Sequence, residues 1–402
     1  MIPFHKPSLD EREFNEVLDT LQSGWLTTGP KTAQFEREFG EYVGAPHALA
    51  VNSCTAGLHL ALAGLGIGPG DEVITTPMTF CATVNTILQT GAKCVLSDIG
   101  TDGNLDPTRI ESKINSRTKA ILPVHLAGAP CDMNAIWEIA NRHGLYVVED
   151  AAHAIGTEFD STPIGGVAPG TGYRSDVVSY SFYATKNLTT GEGGMVTTHD
   201  QDLADRMRVL CLHGISKDAW NRYSEKGKWF YEVTEVGFKY NMSDIQSAIG
   251  IHQLRKQETF IARRAMIAGR YNAAFHPLEE LETPERVAAS SRNAWHIYAL
   301  KLNLDELSID RDEFLANLKS RGVACSVHFI PIPMHRAYRD REDVEKRDSR
   351  QAMKYFTRIL SLPLYPAMTD SDVDYVIESV KAVVVESRSS PLALKAMAAD
   401  AR

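Results

Sequence analysis

The chain has 402 residues, 44% of them hydrophobic and 23% charged, with a formal net charge of −9. That length exceeds one ordinary hydrophobic core, so two domains are expected, and the composition is that of a soluble globular protein. An acidic balance without basic runs argues against nucleic acid or anionic membrane as partners.

The first stretch, "MIPFHKPSLDEREF", has no apolar core of a secretory signal. No later run approaches the ~20 apolar residues of a membrane helix. Strand-like patterns fall at 48–51, 73–75, 94–96, 120–124, 146–148, 177–181 and 195–198, with helical patterns at 55–65 and 133–143 between them. Alternating strands and helices predict a mostly parallel, doubly wound α/β sheet. Ligands of such sheets sit beyond the carboxyl ends of the strands. From Ser243 onward "SDIQSAIGIHQLRKQETFIARRAMIAGRYNAAF" predicts one long amphipathic helix, with Ser243 and Gln246 as a capping box. A smaller α+β unit follows, with strands expected at 297–302 and 324–328. This gives a large domain over 1–245, a long helix and small domain over 246–386, and a mobile tail over 387–402. The six cysteines form no C-x-x-C pair, so no metal site is expected and the thiols read as reduced, in a cytoplasmic protein.

Three stretches carry chemistry. "SFYATKNLTTGEGGM" sets Lys186 just past a buried strand, among Ser, Thr and Gly. Burial and neighbouring positive charge lower a lysine's pKa and give a nucleophilic amine. "LYVVEDAAHAIG" ends an apolar strand on Glu149 and Asp150, with His153 in the turn. An isolated buried carboxylate is costly, so Asp150 needs a cation, either Lys186 or a protonated ring nitrogen of a cofactor. "AVNSCTAGLHLAL" puts Ser53, Cys54 and Thr55 at a helix start, where free N–H groups and the helix dipole cradle phosphate. Ser181 adds a hydroxyl from a neighbouring strand end. No dinucleotide fingerprint or P-loop occurs.

Taken singly, each feature has a plainer reading: a solvated lysine, a turn-capping aspartate, a core histidine, a helix cap. Together they are what pyridoxal phosphate requires: an amine, a carboxylate for the pyridine nitrogen and a phosphate cradle. Phe80 in "PMTFCATV" supplies a ring to stack on the pyridine.

"GDEVITTPMTF", "PVHLAGAPCDM", "VVEDAAHAIG", "YATKNLTTGEGGM" and "GFKYNMSDIQSAIG" together resemble the DegT or StrS type of pyridoxal-phosphate sugar aminotransferases, in order and spacing, over nearly the whole chain. The resemblance is closest to the branch that aminates C4 of UDP-linked 4-ketopentoses, such as the UDP-4-amino-4-deoxy-arabinose aminotransferases. It implies the aspartate-aminotransferase-like fold type I, with Lys186 as the Schiff-base lysine, Asp150 on the pyridine nitrogen, His153 beside the ring and Phe80 stacked on it. Cys54, Thr55 and Ser181 would hold phosphate. Trp25, Thr27, Thr28 and His328 would meet substrate, a nucleotide-linked keto sugar, with L-glutamate as amino donor. The family forms homodimers with shared sites, which implies that the "KYN" segment reaches the partner's phosphate and leaves Lys239 and Asn241 as alternatives for that contact.

Two rival classes stay in view. A cofactor-free Schiff-base lysine enzyme would need no phosphate cradle and would be colourless. A non-catalytic regulatory or binding protein on this fold would have no need of Lys186 and Asp150.

Overall fold

The computed structural model describes residues 1–168, 170–216, 231–346 and 348–388. In chain order the helices are α1 (Glu11–Ser23), α2 (Pro30–Val43), α3 (Cys54–Gly64), α4 (Cys81–Gln89), α5 (Met133–His143), α6 (Gln201–Cys211), α7 (Asp244–Arg255), α8 (Gln257–Phe275), α9 (Arg311–Ser320), α10 (Arg336–Arg339), α11 (Arg350–Arg358) and α12 (Asp370–Ser387). The strands are β1 (His47–Val51), β2 (Glu72–Thr75), β3 (Lys93–Leu96), β4 (Thr118–Leu122), β5 (Tyr146–Asp150), β6 (Glu158–Phe159), β7 (Thr162–Pro163), β8 (Val177–Ser181), β9 (Gly194–Thr198), β10 (Leu281–Glu282), β11 (Tyr298–Leu302), β12 (Val344–Glu345) and β13 (Ile359–Leu362).

Eight strands form one sheet in the order β1-β9-β8-β5-β4-β2-β3-β12. From β8 to β12 every pairing is parallel. β9 is antiparallel to both β8 and β1. Two antiparallel steps restore direction, so β1 runs the same way as β8. The carboxyl ends of β1, β2, β4, β5 and β8 therefore share one edge of the sheet, where open α/β sheets bind ligands. The central strands are buried end to end because helices cover both faces. Leu58, Leu62, Val148, Val177 and Val196 fill one side, and Ile121, Ile136, Trp137 and Val147 the other.

The smaller sheet, β10-β11-β13, is antiparallel. Its core holds Tyr271 of α8, Phe314 of α9 and Val376 of α12. The amino-terminal segment straps onto this unit, with Ile2 bridging Val323.

Two sequence expectations are corrected. The long helix is two helices that meet at Lys256. The capping box of Ser243 and Gln246 forms as expected. Ile251 and Leu254 of α7, however, pack with Phe35 and Phe39, whereas Ile267 and Phe275 of α8 pack into the small unit. One apolar pattern serves two cores, and the axis changes between them. Residues 324–328 do not form a strand. Ser326 makes a single bridge to Ser361, and β13 is the strand that completes the small sheet. Beyond Ser326 the chain turns inward and brings His328 to a cavity at the sheet edge. Residues 389–402 of the expected mobile tail lie outside the described residues. Among the described residues no helix is long and apolar enough to cross a membrane.

Candidate active site

A cavity of about 450 Å³ opens at the carboxyl edge of the large sheet. Lys186, Asp150, His153, Cys54, Thr55, Phe80, Ser181 and His328, all singled out from sequence, line it.

Asp150 ends β5 and is 5% exposed. Burial raises its carboxyl pKa, against the hydrogen bond from Thr83, the backbone N–H of Ala152 and the charge of Lys186. Thr83 Oγ1 donates to Oδ2 at 2.8 Å, and the Ala152 N–H to Oδ1 at 3.1 Å. These two groups hold the carboxylate in place.

Lys186 follows β8 in a turn closed by its own N–H donating to the Tyr183 carbonyl at 2.9 Å. Burial pushes its amine down to about 8, while the negative charge of Asp150 opposes that shift. A larger share of the amine is therefore neutral near physiological pH than in an exposed lysine, though the ammonium still predominates.

His153 Nδ1 accepts the Ala127 N–H at 3.2 Å, so the ring proton sits on Nε2. The ring lies 5.6 Å from Phe329 and 4.3 Å from His296, centroid to centroid. Burial drives the His153 pKa well below its ordinary value. His328 Nδ1 pairs with Ser361 Oγ at 2.9 Å, its ring stacks on Phe4, and burial lowers its pKa to about 4.

Phe80 precedes α4 and is 59% exposed, an aromatic face presented at the cavity and not a core residue. At the start of α3 the Ser53 hydroxyl accepts the Ala56 N–H at 3.0 Å. The N–H groups of Cys54 and Thr55, in the first turn, have no intrahelical acceptor. A Cβ on Gly194 would lie 2.7 Å from the Cys54 nitrogen, so this cradle closes only over a glycine. Burial raises the Cys54 thiol well above its usual range, leaving it protonated. The donor set is thus two helix-start N–H groups and the hydroxyls of Thr55 and Ser181. That set, a buried amine of lowered pKa and a buried carboxylate fit pyridoxal phosphate.

Trp25, Thr27, Thr28, Lys239 and Asn241 do not line this cavity. They form a second group, joined to one another. Asn241 Nδ2 donates to Thr28 Oγ1 at 2.7 Å, Lys239 Nζ to Asn241 Oδ1 at 2.6 Å, and Trp25 Nε1 to the Thr28 carbonyl at 3.1 Å. The Asp244 N–H donates to the Thr27 carbonyl at 3.2 Å. Within one chain, then, the expected site residues divide into a cavity and a separate polar patch.

Sequence reasoning missed Thr83, His296, Phe329 and Phe4. Thr79, just before α4, and Thr83 in its first turn were a legible signal, being two hydroxyls four residues apart at a helix start. The other three come from segments distant in sequence, and only the fold shows that they meet.

A fold-type-I sheet with a buried lysine and carboxylate at one strand edge, beside free helix-start N–H groups, suits a pyridoxal-phosphate-dependent enzyme. The chain belongs to the DegT/DnrJ/EryC1/StrS aminotransferase family, whose model matches residues 7–381. It is 50% identical over 385 residues to the spore coat polysaccharide biosynthesis protein SpsC of Bacillus subtilis (strain 168), covering 95% of this chain and 97% of that one. Among solved structures it resembles the PLP form of Spr1654 from Streptococcus pneumoniae, with a TM-score of 0.87, 32% identity and coverage of 96% and 99%. It also resembles PseC of Helicobacter pylori, an aminotransferase involved in the biosynthesis of pseudoaminic acid, with a TM-score of 0.87, 29% identity and the same coverage. The protein is a pyridoxal-phosphate-dependent aminotransferase of the sugar-acting kind.

Proposed function

We propose that the protein transfers an amino group from L-glutamate to the keto carbon, C4, of a nucleotide-linked sugar. The observation that carries this reading is Lys186. Its amine is buried, lowered to about 8 and set in one cavity with the carboxylate of Asp150.

In this reading bound pyridoxal phosphate supplies an aldehyde and an electron sink. Lys186 would hold it through its amine and, once free, would move a proton at the donor's α-carbon. Asp150 keeps a proton on the pyridine nitrogen. Cys54 and Thr55, through their N–H groups, and Ser181, through its hydroxyl, hold phosphate. Phe80 and His153, the latter with its proton on Nε2, would contact the cofactor ring from the cavity wall. His328 meets the sugar.

The patch of Trp25, Thr27, Thr28, Lys239 and Asn241 serves the partner's cavity in a homodimer. Support for the dimer comes from α1, where Phe14, Leu18 and Leu21 recur at helical spacing. With Trp25 and Leu26 they are each between 45% and 53% exposed. An exposed apolar stripe of that kind is normally covered.

The test is a panel of UDP- and dTDP-linked 4-keto sugars with L-glutamate, the product read by mass. Conversion of a nucleotide-linked ketone to its amine supports the reading. Turnover confined to free keto acids would overturn it.

A further inference from the structure

His296 belongs to none of the roles above, yet its ring lines the cavity and is 8% exposed. Its state can be read from its neighbours. Asn187 Nδ2 donates to the Ala294 carbonyl at 3.0 Å. That contact turns Asn187 Oδ1 toward His296 Nδ1, 3.1 Å away. Flipping the amide would set two oxygens against each other, so Oδ1 must accept and Nδ1 must carry the ring proton. The opposite nitrogen, Nε2, is left as a bare lone pair on the edge turned from Asn187.

His153 has the reverse arrangement, since its Nδ1 accepts the Ala127 N–H. The same residue ties the two segments together, because the backbone N–H of His296 donates to the Ala127 carbonyl at 3.0 Å. Ala127 sits at φ 60° and Trp295 at φ 50°, left-handed conformations that residues with a Cβ rarely adopt. Such backbone persists where surrounding contacts hold it, and it clusters at functional sites. Two touching imidazoles, 4.3 Å apart, are thus set as one N–H donor and one acceptor. Burial keeps the His296 ring neutral, with the charge of Lys186 acting the same way.

We propose that His296 is a sugar-recognising residue, whose Nε2 lone pair accepts a hydrogen bond from a hydroxyl of the sugar ring. The inference rests on the nucleotide-sugar reading above. A neutral acceptor repels the carboxylates of an amino-acid donor; glutamate has no hydroxyl, and its one N–H donor, the amino group, is the group being transferred. A sugar beside its keto carbon has one. Asn187, next to Lys186 in the chain, acts through His296 as a positioning residue that sets the tautomer.

The experiment measures binding of UDP-4-amino-4-deoxy-L-arabinose, and of UDP alone, to the holoenzyme by calorimetry. His296→Phe keeps a ring and loses the acceptor. Its affinity for the amino sugar nucleotide should fall about tenfold, the size of one hydrogen bond, with UDP affinity unchanged. His296→Gln, which returns an acceptor near the Nε2 position, should recover most of that loss. Asn187→Ser, which frees the tautomer, should weaken the amino sugar several-fold and spare UDP. In all three the spectral change on adding glutamate should proceed at the wild-type rate. Equal affinities in wild type and His296→Phe would overturn the proposal alone. So would a parallel loss of UDP binding or of the glutamate half-reaction, which would make His296 structural. If His296→Phe fails to fold, unchanged binding in Asn187→Ser overturns the proposal. A wild-type holoenzyme that binds neither these ligands nor their dTDP counterparts overturns the nucleotide-sugar reading, and this inference with it.

Discussion

The hydroxyl of Thr83 donates to Oδ2 of Asp150 at 2.8 Å, and Thr79 Oγ1 lies 2.7 Å from Thr83 Oγ1 behind it. This two-threonine relay at the start of α4 meets the end of β5, and its Thr83 bond offsets part of the burial that raises the Asp150 carboxyl. It favours the carboxylate, the form that can face a protonated ring nitrogen.

Thr83→Val removes that donor at nearly constant volume. A hydrogen bond to a charged group contributes about 1.5–3 kcal/mol. Cofactor affinity, measured by dialysis and absorbance, should therefore weaken by about 10- to 100-fold, with Lys186 still able to bind the cofactor covalently. Unchanged affinity would mean that Asp150 is held ionised by other groups.

Lys186 couples the site to stability. Its amine is lowered from the ordinary 10.5 to about 8 by burial. Between those two pH values the unfolded chain holds a proton that the folded chain has lost, so cofactor-free stability rises with pH across that window. Below pH 8 the buried ammonium costs about 3 kcal/mol. Lys186→Met should raise the melting temperature of the cofactor-free protein at pH 7 and flatten its dependence between pH 8 and 10.5. A lower melting temperature than wild type would refute the burial cost. The same variant should lose at least about 10²–10⁴-fold in turnover, as expected for a positioned acid–base group.

Much of the cavity was legible because its residues follow strands. Asp150 and Ser181 end β5 and β8, and Cys54 and Thr55 begin the helix after β1. Apolar strands and their sheet edge can be read from a linear pattern. Phe4, His296 and Phe329 cannot, since each lies in a segment with no regular element and reaches the cavity only through the packing of the small unit. The break at Lys256 was hidden for a related reason. Amphipathic spacing reports that a face is buried, but not that its two halves meet different cores. Residues 324–328 looked like a strand from their residue types, yet only Ser326 pairs with the open edge of β13, at Ser361, before the chain leaves for the cavity.

Asp244 supports the polar patch from below and is 1% exposed. Its Oδ1 accepts the N–H groups of Gly29 at 2.7 Å and Thr32 at 2.9 Å, plus the Thr32 hydroxyl at 2.6 Å. Its Oδ2 accepts the Lys31 N–H at 3.1 Å. It caps α2 from a distant part of the chain and ties the Trp25–Thr28 turn to α7. Asp244→Ala should cost about 2–4 kcal/mol in denaturant unfolding, through a lost cap and stranded N–H groups. Asp244→Asn keeps one acceptor oxygen and should cost less. Equal, negligible losses in both would show the capping bonds to be dispensable.

The separation of cavity and patch yields the test of shared sites. Lys239, Asn241 and Thr28 hydrogen-bond among themselves, outside the cavity that holds Lys186. If each patch serves the partner's cavity, a Lys186→Ala chain still offers a good patch. A chain carrying Lys239→Glu and Asn241→Asp still offers a good lysine. Each parent homodimer should be inactive, because every site in it lacks one part. In a mixed dimer the site built on the second chain's Lys186 receives the first chain's intact patch, so one site in two is complete. Half of randomly exchanged dimers are mixed, so activity should approach about a quarter of wild type, as two-fold symmetry dictates. Subunit exchange is verified separately, by mass of differently tagged chains. Exchange without recovered activity would mean that each site is built from a single chain and that the patch has some other role.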